Sequence, residues 1–291
     1  MADAVPGVDA AGSPLIGAAR LADRLADPDP PTLLDVRWSL ARPDGRDEYL
    51  AGHLPGARYV DLERDLSGRP DPGRGRHPLP EAADLEACLR RAGVRKGHPV
   101  VVYDDANGQS AARAWWLLRW SGHQPVQVLD GGLAAWVAAG GNLESGTPAA
   151  VREGDVEVRP GALPAVDAAE VAGRAPERIL IDCRAEERFR GEHEPVDPVG
   201  GHIPGAINLP NAGNLDADGR FLSPEALRAR FTAAGLGGDQ AGQPPIVYCG
   251  SGVSAAHELL AMELAGLAGV LYPPSWSGWV SDPSRPVATG E

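Results

Sequence analysis

The amino-acid sequence predicts an α/β protein made of two copies of one domain, each a parallel sheet with helices on both faces. Short apolar, β-favouring runs alternate with stretches of helical period along the chain, which is typical of parallel sheets covered on both sides. The second observation is an internal repeat, because four segments of the first half recur in the same order in the second half. At 291 residues, the chain has room for two domains that each bury a core.

The repeated segments define the predicted domains. They share an Asp-x-Arg pattern, a Gly-His-[Leu/Ile]-Pro-Gly-Ala turn, an apolar strand, and a second strand followed by a tryptophan. The matched segments are residues 32–37 and 179–184, 52–57 and 201–206, 100–104 and 245–249, and 126–132 and 269–274. We therefore predict an N-terminal domain over residues 1–145 and a C-terminal domain over residues 160–291. Part of the Gly- and Pro-rich stretch 140–164 is the expected linker, which can also lie across the other domain's surface.

Helices are predicted between the strands of both halves. Their apolar periods place them at residues 82–92, 111–121, 224–234 and 255–265. Asn107 and Gly108 break the chain before the second of these. Ser223 is suited to cap the third helix, Pro224 to its first position, and Gly235 to its end.

Charge and cysteine content narrow the class of protein. With 27 basic and 40 acidic residues, the net charge of −13 disfavours nucleic acid and anionic membranes as partners. An odd, sparse set of cysteines, Cys88, Cys183 and Cys249, does not fit a disulfide framework, which favours a reducing, cytoplasmic location. Residues 1–12 lack the features of a signal peptide or anchor. No apolar stretch reaches the ~20 residues of a membrane span, so we expect a soluble protein.

The stretch with the clearest chemistry is residues 245–257. An apolar strand ends at Cys249, small residues follow, and a helix begins. Ligands bind at the carboxyl ends of strands in open α/β sheets, and loop amides with a helix N-terminus favour an anion there. We therefore predict a reactive thiolate at Cys249. The alternative, a buried structural cysteine in a turn, is disfavoured by the Gly-x-Gly loop.

Taken together, these motifs resemble the tandem-domain rhodanese family, which comprises thiosulfate and 3-mercaptopyruvate sulfurtransferases. The resemblance rests on the paired Asp-x-Arg and Gly-His-[Leu/Ile]-Pro-Gly-Ala motifs, the strand ending at Cys249, and the Trp-containing segment 275–279, and it extends from about residue 14 to residue 279. It implies that Cys249 takes a sulfane sulfur from a small anionic donor as a persulfide. An acceptor such as cyanide, a thiol or thioredoxin then removes it. It also implies a catalytically silent first half, where Asp104 matches Cys249.

The loop after the cysteine bears on the choice of donor. Thiosulfate-preferring members have a loop like Arg-Lys-Gly-Val-Thr, whose two cations suit a dianion. Here residues 250–254 read Gly-Ser-Gly-Val-Ser, which is similar to the mercaptopyruvate type except that a serine replaces the threonine. The resemblance therefore implies mercaptopyruvate as the favoured donor and leaves thiosulfate as the alternative. The loop residues implied in donor binding are Gly250, Gly252, Val253, Ser254 and Ala255.

The resemblance also implies residues that move a proton. In the mercaptopyruvate type a loop serine, a histidine and an acid from the first half are proposed to do so. Ser251 matches the serine, His77 in His-Pro-Leu-Pro matches the histidine, and Glu63 in Asp-Leu-Glu matches the acid. Such a set suits a mercaptan donor, because its product leaves as an enolate or ketone that needs a proton.

Two arginines bind the donor in the mercaptopyruvate type. Arg188 matches the first of them, but the second would fall at about Asp197, where this chain has no arginine. This departure weakens the assignment of mercaptopyruvate. Arg190, which lies nearby in the sequence, is the alternative candidate for the second donor-binding arginine. The resemblance implies no cofactor, and no His/Cys cluster has the spacing of metal ligands.

Several other residues in these motifs have structural interpretations. A role in the fold is expected for the Asp-x-Arg pairs and for the turn histidines, which both halves retain, and a role in packing for two further residues. These are Asp35, Arg37, Asp182, Arg184, His53, His202, His257 and Cys88. Cys183 follows a strand end and has a resolving thiol as its alternative role. Trp276 and Trp279 either wall the pocket or pack in the core.

Two other functions compete with sulfur transfer. Phosphatases of related fold close their cysteine loop with an arginine that binds phosphate in a bidentate manner, whereas no arginine follows Cys249 before Arg285. The second competing function is a non-catalytic rhodanese-like binding or sulfur-carrier module. The intact Cys249 loop argues against it.

Overall fold

The computed structural model describes residues 12–237 and 243–291. The expectation that the N-terminus carries no signal peptide concerned residues 1–12, which apart from Gly12 lie outside the described residues. The chain divides into two compact units. The first consists of Met1–Gly68, Pro80–Leu163 and Ala217–Ser223, and the second of Arg69–Leu79, Pro164–Asp216 and Pro224–Glu291. Each unit therefore includes a segment from the other half of the sequence, and the limits 1–145 and 160–291 stay predictions.

The first unit contains a parallel sheet of five strands in the order β1-β5-β4-β2-β3. Its strands are β1 Leu15–Ile16, β2 Thr32–Asp35, β3 Arg58–Tyr59, β4 Val100–Tyr103 and β5 Val126–Leu129. Its helices are α1 Ala18–Leu25, α2 Arg46–Ala51, α3 Ala82–Arg91, α4 Gln109–Trp120 and α5 Gly132–Ala138.

The second unit repeats this arrangement with a parallel sheet in the order β7-β6-β8-β9. Its strands are β6 Leu180–Asp182, β7 Ala206–Asn208, β8 Ile246–Tyr248 and β9 Val270–Leu271. Its helices are α6 Ala168–Ala172, α7 Glu186–Arg190, α8 Pro224–Ala233, α9 Val253–Leu264 and α10 Ser275–Trp279, with short 3-10 helices at Pro72–Arg74 and Asn211–Asn214. Ala165 forms a parallel bridge to Leu271, in the position that β1 holds beside β5. The predicted α/β class, with two parallel sheets covered by helices, is confirmed.

The central strands are apolar because helices cover both faces of each sheet. All four residues of β4 and all three of β8 are buried. Around β8, the core of the second unit includes Tyr248, Tyr272, Trp276 and Trp279. The two tryptophans are 0% and 2% exposed, so packing explains them. Within the described residues, no helix is both long and apolar enough to cross a membrane.

Two helices begin earlier than the sequence predicts. Helix α4 starts at Gln109 and α9 at Val253, two residues before the predicted starts at 111 and 255. In both cases a glycine with positive φ, Gly108 at +80° and Gly252 at +85°, caps the helix. Such a residue turns the chain sharply, so the helix starts directly behind it.

The expected linker packs on the first unit. Its backbone N–H groups donate to carbonyl oxygens of that unit, from Gly146 to Leu50 at 2.7 Å, from Gly154 to Arg90 at 2.8 Å, and from Arg159 to Ser121 at 2.9 Å. The stretch up to Leu163 thus belongs to the first unit, and its Gly- and Pro-rich composition reflects an extended path along that surface.

A buried ion pair stabilises the strand end in each unit. The Arg184 Nη2 atom lies 2.6 Å from an Asp182 carboxylate oxygen and donates to the Gly201 carbonyl at 2.6 Å. Arg37 makes the same contacts with Asp35 and Gly52 in the first unit. The pair therefore connects the strand end to the following Gly-His turn, which accounts for the Asp-x-Arg motif as a structural feature.

We predict that Asp35→Ala destabilises the protein by roughly 3–5 kcal/mol, because it leaves the buried Arg37 guanidinium without its paired carboxylate. Asp182→Ala should cost somewhat less, because Arg184 keeps a longer contact of 3.3 Å with Glu194. Chemical denaturation followed by tryptophan fluorescence measures the loss. Arg24→Ala, which removes an exposed pair with Asp27, serves as the control with an expected change below about 1 kcal/mol. A loss in Asp182→Ala no larger than in this control would contradict the structural role.

Candidate active site

Cys249 lies at the carboxyl end of β8, in the centre of the second sheet. The chain continues from β6 to β7 on one side of the sheet and from β8 to β9 on the other. The strand ends at such a switch of direction form the cleft in which open α/β sheets bind ligands. The Cys249 side chain is 2% exposed, and α9 begins four residues further on.

Loop amides surround the Cys249 sulfur. The Gly252 N–H group donates to Sγ at 3.0 Å, and those of Ser251 and Ala255 also hydrogen-bond to it. Gly252 is needed here because its φ is +85° and a β-carbon would lie 2.6 Å from the Pro273 carbonyl oxygen. The small residues of the loop therefore let the backbone close around the sulfur.

The loop is fixed from the side of α10. The Cys249 N–H donates to the Ser275 hydroxyl at 3.2 Å, and the Trp276 and Ser277 N–H groups donate to the Cys249 and Gly250 carbonyls, both at 2.9 Å. The strand end, the loop and the start of α10 are thus held together, which orients the loop amides before any donor arrives.

The surroundings of Cys249 favour the thiolate. Burial alone would raise the pKa of this thiol, but hydrogen bonds from the Cys183 thiol and from the amides of Ser251, Ala255 and Gly252 lower it to about 5. The predicted thiolate therefore has a physical cause in hydrogen bonding. Cys183 contributes in addition to the amides that the sequence indicated.

Ser251 and His77 are brought together in the second unit. The His77 Nδ1 atom lies 2.7 Å from the Ser251 Oγ, and both side chains are buried. His77 comes from Arg69–Leu79, the early segment that belongs to the second unit. A β-carbon at Gly75 would lie 2.5 Å from the Pro274 carbonyl, so a glycine allows this segment to pack closely against α10.

Two guanidinium groups lie beside the loop. A β-carbon on Gly250 would lie 3.1 Å from Arg76 Nη2 and 3.5 Å from Arg188 Nη2. Arg188 was predicted at the site, whereas Arg76 was missed. Arg190, the sequence-based alternative, instead pairs with Glu186 at 2.5 Å. The second arginine beside the loop is therefore Arg76.

Asp197 connects these two arginines. It forms ion pairs with Arg76 and with Arg188, the latter at 3.2 Å. Burial raises the pKa of Asp197, against the opposing effect of the two cations. Glu194 pairs with Arg188 at 2.7 Å. Hence two carboxylates accompany the two guanidinium groups, and the site carries little net positive charge.

The remaining predicted residues are distributed as follows. Val253, Ser254 and Ala255 form the first turn of α9. Glu63 belongs to the first unit, where its Oε1 atom accepts a hydrogen bond from Trp38 Nε1 at 2.9 Å. Its part in proton transfer stays a prediction. Within residues 12–237 and 243–291, no group of three or more His, Cys, Asp or Glu side chains could hold a metal ion.

The first unit contains a similar loop around Asp104. The Asp104 carboxylate accepts hydrogen bonds from the N–H groups of Ala106, Gly108 and Ala111, each at 2.9 Å. Gly108 caps α4 as Gly252 caps α9. The duplicated loop therefore surrounds an anion in both units, a carboxylate in the first and a sulfur in the second.

Comparison with known proteins agrees with this architecture. The model of the Rhodanese-like domain family matches residues 17–139 and 167–282. A Mycobacterium tuberculosis H37Rv protein provisionally named thiosulfate sulfurtransferase SseB is 50% identical over 97% of this chain and 99% of its own. A Pseudomonas aeruginosa PAO1 protein provisionally named 3-mercaptopyruvate sulfurtransferase is 49% identical over 95% and 98%.

A solved structure gives the same result for the fold. The crystal structure of SseA from Escherichia coli, described as a 3-mercaptopyruvate sulfotransferase of rhodanese fold, superposes with a TM-score of 0.79 at 34% identity. The match covers 91% of this chain and 99% of that one. With the rhodanese model matching twice and relatives similar over nearly their whole length, the chain belongs to the tandem-domain rhodanese family of sulfurtransferases.

Proposed function

We propose that Cys249 is the nucleophile of a sulfurtransferase that prefers 3-mercaptopyruvate as its donor. The observation that carries this proposal is the sulfur enclosed by loop amides, with its pKa lowered to about 5. A thiolate is the nucleophilic form of cysteine. The names of the relatives are divided between mercaptopyruvate and thiosulfate, so the donor has to be argued from the site itself.

The transfer proceeds in two balanced steps. The Cys249 thiolate attacks the donor sulfur, a sulfur–sulfur bond forms, and the carbon–sulfur bond of mercaptopyruvate breaks. Its electron pair passes to carbon, and protonation of the resulting enolate gives pyruvate. An acceptor then attacks the outer sulfur of the Cys249 persulfide and restores the thiolate. The loop amides hold the negative charge at the start and at the end of the cycle.

Ser251 and His77 are proposed to move the proton. Their 2.7 Å contact supports a pair that delivers a proton to the departing enolate. Glu63 is kept as the proposed acid of this set. Gly250, Gly252, Val253, Ser254 and Ala255 are proposed to form the rest of the donor-binding loop.

The two arginines beside the loop suit a carboxylate. Arg188 and Arg76 together offer guanidinium groups that bind planar oxyanions in a bidentate manner. Asp197 and Glu194 offset their charge, and residues 250–254 add no cation. A donor with one carboxylate is therefore favoured over the thiosulfate dianion, whose charge these two acids repel.

We further propose that the first half is catalytically silent and that the protein works in the reducing cytoplasm. Asp104 fills the corresponding loop of the first unit with a carboxylate, which cannot carry a sulfane sulfur. Cyanide, a small thiol or thioredoxin are the proposed acceptors. The net charge of −13 supports neither nucleic acid nor an anionic membrane as a partner.

The central test is the mass of the protein after brief exposure to each donor. Reaction with mercaptopyruvate, quenched within the first turnovers, should add one sulfur atom to the peptide that contains Cys249, and Cys249→Ser should prevent the addition. In steady-state assays, kcat/KM should be higher with mercaptopyruvate than with thiosulfate. If the wild-type protein gains no sulfur from either donor, the sulfurtransferase assignment fails and a non-catalytic binding role is the remaining interpretation. A preference of about tenfold or more for thiosulfate would contradict the donor assignment.

The low pKa of Cys249 predicts the pH dependence of its alkylation. The rate with iodoacetamide should be half-maximal near the pKa of about 5 and constant at neutral pH, because the reaction follows the thiolate. Protonation slows it at lower pH. Gly252→Ala, which displaces an amide, should move the midpoint toward the ordinary value of about 8.5. Peptide mapping separates this signal from Cys88, whose pKa burial raises to about 12. A wild-type midpoint near the ordinary value would contradict the role of the amides.

The arginine assignment is tested by three matched variants. Arg188→Ala and Arg76→Ala should each lower kcat/KM for mercaptopyruvate about 10- to 150-fold, the range expected for losing a hydrogen bond to a charged group. Arg190→Ala removes a guanidinium from the same helix as Arg188 but should leave kcat/KM nearly unchanged. No loss in Arg76→Ala would show that Arg76 is not the second donor-binding arginine, and an equal loss in Arg190→Ala would show that the effect is not specific to the two arginines beside the loop.

A further inference from the structure

Cys183 occupies the position beside Cys249 on the neighbouring strand. Strands β6 and β8 pair in parallel with Asp182 opposite Tyr248, so the next residues in register are Cys183 and Cys249. The Cys183 N–H continues the ladder by donating to the Tyr248 carbonyl at 3.0 Å. The two thiols therefore start from adjacent backbone positions at the same end of the sheet.

This placement fits the geometry of a disulfide. Neighbouring strands lie about 4.7–4.9 Å apart, and the Cα atoms of disulfide-linked cysteines lie about 4.4–6.8 Å apart. Side chains at matched positions of parallel strands point to the same face of the sheet. All three cysteines of the chain are free thiols in the structure, so the pair represents the reduced form.

The Cys183 thiol is buried next to Cys249. Its side chain is 0% exposed, and it hydrogen-bonds to Cys249. Its S–H group also donates to the Tyr248 carbonyl oxygen at 3.2 Å. Burial, followed by the hydrogen bond and charge of Cys249, raises the pKa of Cys183 well above its ordinary value. Cys183 is therefore a protonated thiol next to a thiolate.

The duplicated unit provides an internal comparison. In the first unit Asp35 pairs with Tyr103, so Val36 stands beside Asp104 as Cys183 stands beside Cys249. The Val36 N–H makes the same ladder bond, to the Tyr103 carbonyl at 2.9 Å. An apolar side chain is thus sufficient for packing at this position. Cys183 therefore occurs only beside the loop that encloses the Cys249 sulfur, and a valine stands beside the loop that encloses the Asp104 carboxylate.

We propose that Cys183 is a resolving thiol that cleaves the Cys249 persulfide and releases its outer sulfur as hydrosulfide. This inference rests on the proposed persulfide at Cys249. The Cys183 sulfur bonds to Cys249 Sγ, and the bond between Sγ and the outer sulfur breaks. The outer sulfur leaves with the electron pair and takes up the Cys183 proton. The two cysteines are oxidised to a disulfide and the sulfane sulfur is reduced, so no external oxidant is needed.

The high pKa of Cys183 sets the order of events. A protonated thiol is a poor nucleophile, so an external acceptor that reaches the persulfide reacts first. Resolution by Cys183 takes place when no acceptor arrives. The product disulfide closes the site until a dithiol reductant reopens it, and the persulfide is thereby discharged in a controlled way.

The experiment follows the fate of one loaded sulfur. Wild-type protein is treated briefly with mercaptopyruvate, freed of donor by gel filtration, and incubated without any acceptor. Sulfide trapped with monobromobimane and the intact mass under acid quench are recorded over time. We expect one equivalent of sulfide and a mass two hydrogens below that of the reduced protein. Peptide mapping should link the peptides that contain Cys183 and Cys249, and dithiothreitol should restore alkylation of Cys249.

Matched variants distinguish the possible outcomes. Cys183→Ser and Cys183→Ala should keep the added sulfur and release none, whereas Cys88→Ser, which changes the remaining cysteine, should behave as wild type. A wild-type persulfide as long-lived as that of the Cys183 variants, or sulfide release without the disulfide peptide, would overturn the proposal. If a variant does not fold, the peptide map of the wild type still shows whether the disulfide between Cys183 and Cys249 forms. If neither wild type nor Cys183→Ser ever gains sulfur, it is the proposed function that fails.

Discussion

The structure of the second unit depends on one constraint, the enclosure of a negatively charged sulfur by backbone amides at the end of β8. Enclosure requires small residues in the loop, a left-handed glycine before α9, and a close approach of α10. It also removes water from the sulfur, which on its own would favour the neutral thiol. Hydrogen-bond donors that point at the sulfur reverse that preference. Their combined effect outweighs burial and lowers the pKa of Cys249 to about 5.

The parallel sheet is what makes the enclosure possible. Because consecutive strands end at the same edge, residues far apart in sequence meet there without long loops of their own. Cys183 follows β6, Cys249 follows β8, and α10 follows β9. The Asp182–Arg184 pair fixes the strand end from behind. Reactivity and fold are therefore supported by the same few elements, as is common at the switch point of open α/β sheets.

Much of this was accessible from the sequence, and the parts that were not share a physical reason. Local patterns of strand, turn and helix residues were sufficient to predict the repeat, and the position of Cys249 and its loop. Arg188 was predicted from its match to the mercaptopyruvate type, and the structure places it beside the loop. Arg76 was missed because its place depends on where Arg69–Leu79 packs, which no local pattern encodes. The role of Asp197 was hidden for the same reason, since the partners that define it lie 121 and 9 residues away.

The loop around Asp104 has a consequence for how the two halves respond to substrate. Its amides are satisfied by a carboxylate that the proposed reaction leaves unchanged, so these hydrogen bonds are the same with and without a donor. The loop around Cys249 encloses a sulfur that the proposed reaction converts to a persulfide and back, so its hydrogen bonds change between the two states, and a donor that binds there stabilises the unit by mass action. The duplicated loop is therefore a fixed structural element in the first unit, whereas in the second unit its stability depends on bound substrate.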